Sequence, residues 1–121
     1  MAKSIILYNL KDGGMEDDYI KWCHEYKGPF FLSLPACNSF TLVKMLGGIK
    51  GNGAIGTPPE GAPPPFKFVG IVDVDNLQEW QKATESKQFR EEFFPQWFTR
   101  WVGDFYVLVG IEVYEGRGKQ L

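Results

Sequence analysis

Three strand-like segments of this 121-residue chain carry apolar side chains at odd and even positions alike. They span residues 4–10, 66–74 and 105–114, and their sequences are SIILYNL, FKFVGIVDV and FYVLVGIEVY. A sheet with one face in water alternates apolar and polar residues, so this pattern predicts strands that are covered on both faces. The chain supplies helices for only one face, which predicts that a second copy of the chain covers the other.

A first amphipathic helix is predicted over residues 16–27. Its apolar side chains recur at the i, i+3, i+4, i+7 spacing of one helix face, namely Tyr19, Trp22, Cys23 and Tyr26. Gly28 and Pro29 follow, and because both residue types commonly end helices, we expect this helix to stop there. A further strand is predicted over residues 39–46.

A second helical region is predicted after the third strand, with two interruptions. Asn76 and Glu79 have the spacing of a capping box at its start. The apolar stripe loses its phase near Ser86, which can cap a fresh turn. Pro95 disfavours helical geometry at Phe94, so a further break or kink is expected there.

Residues 47–65 show neither helical nor strand periodicity, and eleven of these nineteen residues are Gly or Pro. This composition predicts a flexible loop. Residues 51–56 match GxGxxG, the dinucleotide-binding fingerprint, but that fingerprint needs a helix to begin at its third glycine. Because Pro58 and Pro59 follow instead, we expect a plain loop or a lid over a pocket.

The order βαββαβ predicts an α+β, ferredoxin-like fold with a four-stranded antiparallel sheet, in one domain spanning residues 1–121. Crossover connections are almost always right-handed, so both helical regions are expected on the same face of the sheet. The opposite face then exposes more contiguous apolar surface than monomers usually do. Packing of two such sheets about a twofold axis would cover it, which predicts a dimeric α+β barrel.

Composition excludes several functional classes. The 13 Lys and Arg residues against 15 Asp and Glu residues give a net charge of −2 without any block of like charge, which argues against nucleic-acid binding. No apolar run approaches the ~20 residues of a membrane span, and no signal-peptide pattern is present, so we expect a cytoplasmic protein. Cys23 and Cys37, with a single histidine, lack metal-ligand spacing and are expected to be reduced packing residues.

Candidate site residues are few. His24, the only histidine, is the side chain best suited to proton transfer near neutral pH, and Asp73 is a polar residue within an apolar strand. These two are the candidate catalytic groups, although His24 also suits an ordinary surface position. Aromatic and polar side chains that could line a cleft between sheet and helices are the candidate ligand-binding residues: Tyr8, Asn9, Trp22, Tyr26, Trp80 and Trp97. The same aromatic residues also suit a plain core.

Several core segments resemble a known family. They are YIKWCHEYKGP from Tyr19 to Pro29, the pairs Leu34-Pro35 and Ser39-Phe40, and the later sequences FKFVGIVDV, LQEWQ and EFFPQWF. These segments are similar to the dimeric α+β barrel superfamily, which includes EthD-like proteins and cofactor-free antibiotic-biosynthesis monooxygenases. Within it they most resemble the REDY-like protein HapK family, which is associated with prodiginine pigment biosynthesis. The resemblance extends from about Ile5 to Tyr114 and rests on core residues.

This resemblance implies a homodimer, joined through the open sheet face, that binds an aromatic, pyrrole or polyketide-like intermediate of secondary metabolism. If the protein is an enzyme, the resemblance implies cofactor-independent oxygenase or proton-transfer activity of the isomerase or cyclase type. The alternative is a non-catalytic ligand carrier, or an accessory or structural subunit of a biosynthetic pathway. EthD-like proteins carry a histidine two places before the proline that matches Pro29, where this chain has Lys27, so the chemistry of that histidine does not transfer.

Overall fold

The computed structural model describes residues 2–53, 56 and 58–119. The strands in chain order are β1 (Ala2–Leu10), β2 (Cys37–Lys44), β3 (Gly48–Lys50), β4 (Glu60–Ala62), β5 (Phe68–Val74) and β6 (Val102–Ile111). Four of them form an antiparallel sheet in the order β2-β5-β1-β6. This confirms the α+β class and the four-stranded antiparallel sheet of a ferredoxin-like fold.

The strand register gives the sheet two faces of different burial. Along β1, Ser4, Ile6 and Tyr8 are buried beneath the helices, whereas the residues between them are half-buried. Ile5, on the other face, pairs with Leu108 of β6, which is 48% exposed. The central strands are therefore apolar on both faces, as the sequence pattern predicts, and the helices cover one of them.

The first helical region continues beyond its predicted end. It comprises α1 (Glu16–Trp22), a wide π-helical turn (Cys23–Lys27) and α2 (Gly28–Ser33), so the predicted stop at Gly28 and Pro29 was wrong. The Gly28 amide donates to the carbonyl of Cys23, five residues earlier, and Pro29 then lies in the first turn of α2, where a missing amide leaves no bond unmade. A Cβ at position 28 would lie 3.0 Å from the Cys23 carbonyl oxygen, so glycine permits this close turn.

In the first half of the second helical region, the start at Asn76 and the interruption near Ser86 are as predicted. The Asn76 side chain accepts a hydrogen bond from the Glu79 amide at 2.8 Å and caps α3 (Leu77–Glu85). The backbone leaves helical geometry at Ser86, whose hydroxyl then accepts from the Phe89 amide at 3.2 Å. This confirms the predicted interruption and the fresh cap.

Of the break or kink predicted at Phe94, the break was wrong, and the kink stays a prediction. A π-helical turn (Phe89–Phe93), the short helix α4 (Phe94–Gln96) and a second π-helical turn (Trp97–Trp101) form one continuous helical path. The Phe94 amide donates to the carbonyl of Phe89, five residues earlier, so Pro95 follows a wide turn just as Pro29 does. A wide turn thus lets each proline occupy the start of a new helical turn.

The Gly/Pro-rich segment at residues 47–65 contains a short two-stranded ladder. Strand β3 pairs with β4 in antiparallel register, with Gly48 opposite Ala62. The expectation that this segment lacks any regular element was therefore wrong over these six residues. Part of the GxGxxG match, at Ala54 and Ile55, lies outside the described residues, and the predicted flexibility of the segment stays a prediction.

The core lies between the helices and the covered sheet face, and it is strongly aromatic. Its largest fully buried side chains include Tyr8, Tyr19, Phe31, Phe68 and Phe93. Aromatic rings bury large areas and pack edge-to-face, as Tyr8 and Tyr19 do at 5.8 Å between ring centroids. Within the described part of the chain, no helix is both long enough and apolar enough to cross a membrane.

Candidate functional site

A cavity of about 500 Å³ lies between the sheet and the second helical region. Its walls are largely aromatic and aliphatic, with β1 and β6 on one side and helical residues on the other: Ser4, Ile6, Lys27, Phe31, Leu77, Trp80, Gln81, Thr84, Phe89, Phe93, Phe94, Trp97, Val107 and Val109. Val107 and Val109 are 54% and 61% exposed, so the cavity reaches solvent along the β6 edge of the sheet. This size and lining are typical of small-molecule sites.

Two polar residues of this lining, Ser4 and Lys27, are almost completely buried, at 1% and 0% exposure. Lys27 comes from the wide turn of the first helical region, and Ser4 comes from β1. Lysine is rarely fully buried unless it is paired, and no ion pair among the described residues includes Lys27. A buried, unpaired cationic side chain in an apolar cavity is therefore the chemically unusual feature of this protein.

The Lys27 amine belongs to a buried hydrogen-bond network. Its Nζ donates to the hydroxyl oxygens of Tyr19 at 3.1 Å and Tyr8 at 3.3 Å. The two tyrosine hydroxyl oxygens lie 2.6 Å apart, and the indole Nε1 of Trp97 donates to that of Tyr19 at 3.0 Å. Four residues thus meet at the cavity floor, from β1, from α1 and the wide turn of the first helical region, and from the second helical region.

The two wide helical turns place the key side chains of this network. Lys27 is the last residue of the turn that precedes Pro29, and Trp97 is the first residue of the turn that follows α4. π-helical turns occur often at functional sites, because the extra residue per turn redirects the side chains around it. Here both redirected side chains contact the same hydroxyl, that of Tyr19.

Burial changes the acid-base behaviour of the network. Loss of hydration lowers the pKa of Lys27 from 10.5 to about 8, because no carboxylate compensates the ammonium. The same loss of hydration raises the pKa of Tyr8 and of Tyr19 well above the ordinary phenol value, so both hydroxyls stay protonated. Burial also raises the pKa of the Cys23 thiol. Lys27 is thus the member of the network that can change charge near neutral pH.

Three of the predicted ligand-binding residues belong to this region. Trp80 and Trp97 line the cavity. Tyr8 lies beneath it, fully buried, with its hydroxyl bonded to Lys27 and its ring stacked on Phe68 at 5.7 Å. The rings of Tyr8 and Trp97 are in contact, at 5.3 Å between centroids, and Trp80 joins the lining from α3.

The other predicted ligand-binding residues lie outside the cavity lining. Trp22 packs within the aromatic cluster, at 5.6 Å from Trp101 between ring centroids. The Tyr26 hydroxyl donates to Glu92 at 3.4 Å in an exposed hydrogen bond. Asn9 binds the chain that leads into β5, since its side chain donates to the Pro65 carbonyl and accepts from the Lys67 amide.

The two predicted catalytic residues lie apart from each other and from the cavity. His24 is exposed and borders a separate groove together with Cys23 and Lys44. Asp73 lies on the open face of the sheet, where its carboxylate pairs with Lys3 at 3.2 Å. Their catalytic roles stay predictions.

Sequence reasoning missed Lys27 and Ser4 as site residues. The signal for Lys27 was present, because it lies four residues after Cys23 and eight after Tyr19, on the apolar stripe of the first helix. A lysine at the edge of such a stripe ordinarily extends its ammonium into water. The sequence contains no comparable signal for Ser4, because a small polar residue in an apolar strand does not by itself indicate a ligand site.

Within residues 2–53, 56 and 58–119, no group of three His, Cys, Asp or Glu side chains lies close enough together to hold a metal ion. Both cysteines are free thiols, Cys23 buried and Cys37 half-buried.

A sequence model of the family described as REDY-like protein HapK matches residues 2–113 of the chain. A search of curated protein sequences gives no match. The family match confirms the resemblance drawn from the core segments, and it spans the sheet, both helical regions and every residue of the cavity.

Three solved structures show the same fold. HapK from Hahella chejuensis is 16% identical, with a TM-score of 0.70 over 99% of this chain and 100% of that one. An ethyl tert-butyl ether D (EthD) family protein from Bacillus halodurans is 14% identical, with a TM-score of 0.62 over 93% of this chain and 99% of its own. A dabb family protein with a ferredoxin-like fold from Mesorhizobium loti is 7% identical, with a TM-score of 0.65 and coverages of 93% and 97%. At these identities the likeness concerns the fold alone.

Proposed function

We propose that this chain, which belongs to the REDY-like protein HapK family, binds a flat, largely apolar small molecule in the cavity between its sheet and its helices. The observation that carries this proposal is the cavity itself, about 500 Å³ in volume, with Lys27 buried at its floor. An aromatic, pyrrole or polyketide-like intermediate of secondary metabolism is the class of ligand that we propose.

The lining supports an aromatic ligand. Phe31, Trp80, Phe93 and Trp97 present ring faces and edges, which stack favourably on flat organic molecules. Ser4, Lys27, Gln81 and Thr84 are the polar residues among those that line the cavity, enough to orient a ligand that carries one or two polar groups. If the protein is an enzyme, Lys27 is the group placed to move a proton on such a ligand without any cofactor.

We propose further that the protein works as a homodimer through the open face of its sheet. The strand register places Val69, Leu7 and Tyr106 in one row across that face, with Tyr106 62% exposed. A parallel row contains Ile71, Ile5 and Leu108. Two such faces packed together would remove both rows from water. Each Å² of apolar surface buried in this way stabilises the pair by about 25 cal/mol, which supports a stable dimer.

The binding proposal is tested by titration with N-phenyl-1-naphthylamine, a neutral flat probe whose fluorescence rises in apolar sites. We expect saturable binding with one probe per subunit. The variant Val107→Trp, which fills the cavity from its β6 side, should abolish that signal. The matched variant Val113→Trp adds the same ring at a residue that is 91% exposed and outside the cavity lining, and it should bind like the wild type.

Non-saturable binding, or equal binding by the two tryptophan variants, would contradict this proposal. Turnover separates an enzyme from a carrier once binding is established. A carrier would hold aromatic probes and candidate pyrrole or polyketide compounds without changing them.

A further inference from the structure

The Lys27 amine lies among aromatic rings and hydroxyls, and none of its contacts within the described part of the chain is a carboxylate. Its Nζ is 4.8 Å from the ring centroid of Tyr8 and 4.9 Å from that of Trp97, and the rings of Tyr19, Phe31 and Phe40 are also within 6 Å. Ring faces attract an ammonium group, but less strongly than water or a carboxylate would. Burial removes the hydration of the ammonium and lowers the pKa of Lys27 to about 8.

Both tyrosine hydroxyl protons of this network have an acceptor only when the Lys27 amine is neutral. An ammonium group would donate to both tyrosines, and Tyr19 Oη, which also accepts from Trp97, would then direct its own proton to Tyr8 Oη. Tyr8 Oη would accept from Tyr19 and Lys27, so the Tyr8 proton would have no acceptor among the described hydrogen bonds. A neutral amine has a lone pair, and this lone pair can accept the Tyr8 proton.

Lys27 is also placed where a ligand would meet it. It borders the cavity of about 500 Å³ together with Ser4 and Trp97, although its side chain has no solvent-accessible surface of its own. The amine ends a flexible four-carbon stem, and the proposed capture requires this stem to turn the nitrogen from the two tyrosine hydroxyls toward the cavity.

We propose that Lys27 is a nucleophilic amine that captures an aromatic or conjugated aldehyde or ketone in this cavity as a Schiff base. The inference rests on the proposed function, since it takes the cavity to be the ligand site. It adds a chemical class to the ligand, namely a carbonyl compound, and a covalent role for one residue.

The reaction balances without an oxidant or reductant. The nitrogen lone pair attacks the carbonyl carbon, a C–N bond forms as the C=O π bond breaks, and one proton passes from the nitrogen to the oxygen to give a carbinolamine. The C–O bond then breaks, the hydroxyl leaves as water with the second nitrogen proton, and a C=N bond remains. The hydroxyls of Tyr8 and Tyr19, at 3.3 Å and 3.1 Å from the nitrogen, are placed to take and return the proton.

The lowered pKa makes this step accessible at neutral pH. With a pKa of about 8, roughly one chain in ten carries a neutral Lys27 amine at pH 7, against roughly one in three thousand for an ordinary lysine. Lys82 and Lys87, whose side chains are 74% and 85% exposed, serve as the internal comparison.

The experiment is trapping of the full chain with 2-naphthaldehyde and sodium cyanoborohydride at about pH 7.5, followed by peptide mapping by mass spectrometry. We expect the reduced adduct on Lys27 at about tenfold or more above the adduct on Lys82 or Lys87. Because the adduct is located on the wild-type chain, this result does not depend on whether any variant folds. Lys27→Arg should lose the adduct, whereas the matched change Lys82→Arg on the exposed face of α3 should leave it unchanged.

Non-covalent binding of 2-naphthalenemethanol, which has the same ring system without a carbonyl, separates the two proposals. Binding of the alcohol together with adducts confined to exposed lysines would overturn the Schiff-base role and leave the binding site intact. Failure of both the alcohol and the neutral probe to bind would overturn the proposed function itself.

Discussion

The hydroxyl oxygens of Tyr8 in β1 and Tyr19 in α1 lie 2.6 Å apart in the core, where neither side chain has any exposed surface. This contact joins the sheet to the first helical region by a polar bond within a largely apolar interface. The same two oxygens accept hydrogen bonds from the Lys27 amine, and that of Tyr19 also accepts one from the Trp97 indole. Packing of the helices on the sheet and placement of the cavity lysine therefore depend on one pair of tyrosines.

Tyr19→Phe should destabilise the protein by about 2–3 kcal/mol, because it leaves the buried Trp97 Nε1 without an acceptor and removes one partner of Lys27. Tyr26→Phe is the matched control on the same helical region. Its hydroxyl makes exposed hydrogen bonds with Glu92 and Gln96, so its loss should cost less than about 0.5 kcal/mol. Urea denaturation measures both values, and equal costs would contradict the importance of the Tyr19 hydroxyl.

The stability of the protein should increase with pH because of Lys27. Its pKa is about 8 in the folded state and 10.5 in the unfolded chain, so the unfolded chain binds more protons between these values. Rising pH therefore favours the folded state, by about 2 kcal/mol between about pH 7.5 and about pH 9.5. Lys27→Met removes the titrating group. The difference in unfolding free energy between wild type and this variant, measured across that window, should show the increase, and a flat difference would refute it.

Leu108→Glu should convert the proposed dimer into monomers. Leu108 lies on the open face of the sheet beside Ile5, where a buried carboxylate would have no partner in the proposed interface. Val109→Glu is the matched control, since the next residue of β6 points to the opposite face and lines the cavity. Sedimentation velocity at micromolar concentration should give a dimer for the wild type and for Val109→Glu. A wild-type monomer under these conditions would end the proposal of a dimer.

His24→Gln and Asp73→Asn should each leave the affinity for N-phenyl-1-naphthylamine within about twofold of the wild-type value, because neither residue lines the cavity. Fluorescence titration checks this outcome. A large loss of affinity in either variant would place the ligand site on the groove beside His24, or on the open face beside Asp73. If a turnover assay is found, a loss of rate without loss of affinity would support the catalytic role predicted for that residue.

The sequence predicted the fold well because the signals for it are local. Apolar residues on both faces of residues 4–10 identify a central strand, and Ser86 identifies a helix cap from its own chemistry. The π-helical turns before Pro29 and Pro95 were not predicted, because they depend on packing against residues that are distant in the sequence. Pro29 and Pro95 break a regular helix, and only the packing of Phe30, Phe31 and Phe93 into the core makes a widened turn preferable to an end.

The candidate site was harder to predict because it depends on long-range contacts. Trp80 and Trp97 were identified from their aromatic character alone. Lys27 becomes significant only when Tyr8, nineteen positions earlier in the chain, and Trp97, from the second helical region, are brought to its nitrogen. Periodicity places a residue on a helix face, but it does not identify the partner that this face meets.

The two widened turns also fix the angular phase of the helices that follow them. An α-helix advances about 100° per residue, so a return to ordinary geometry at residues 23–27 would turn every later side chain of that helix by a comparable angle. Phe30 and Phe31 would then leave the core. A one-residue deletion in this turn would therefore do more than shorten a helix. It would rotate the whole of α2 relative to the sheet and disrupt the floor of the cavity.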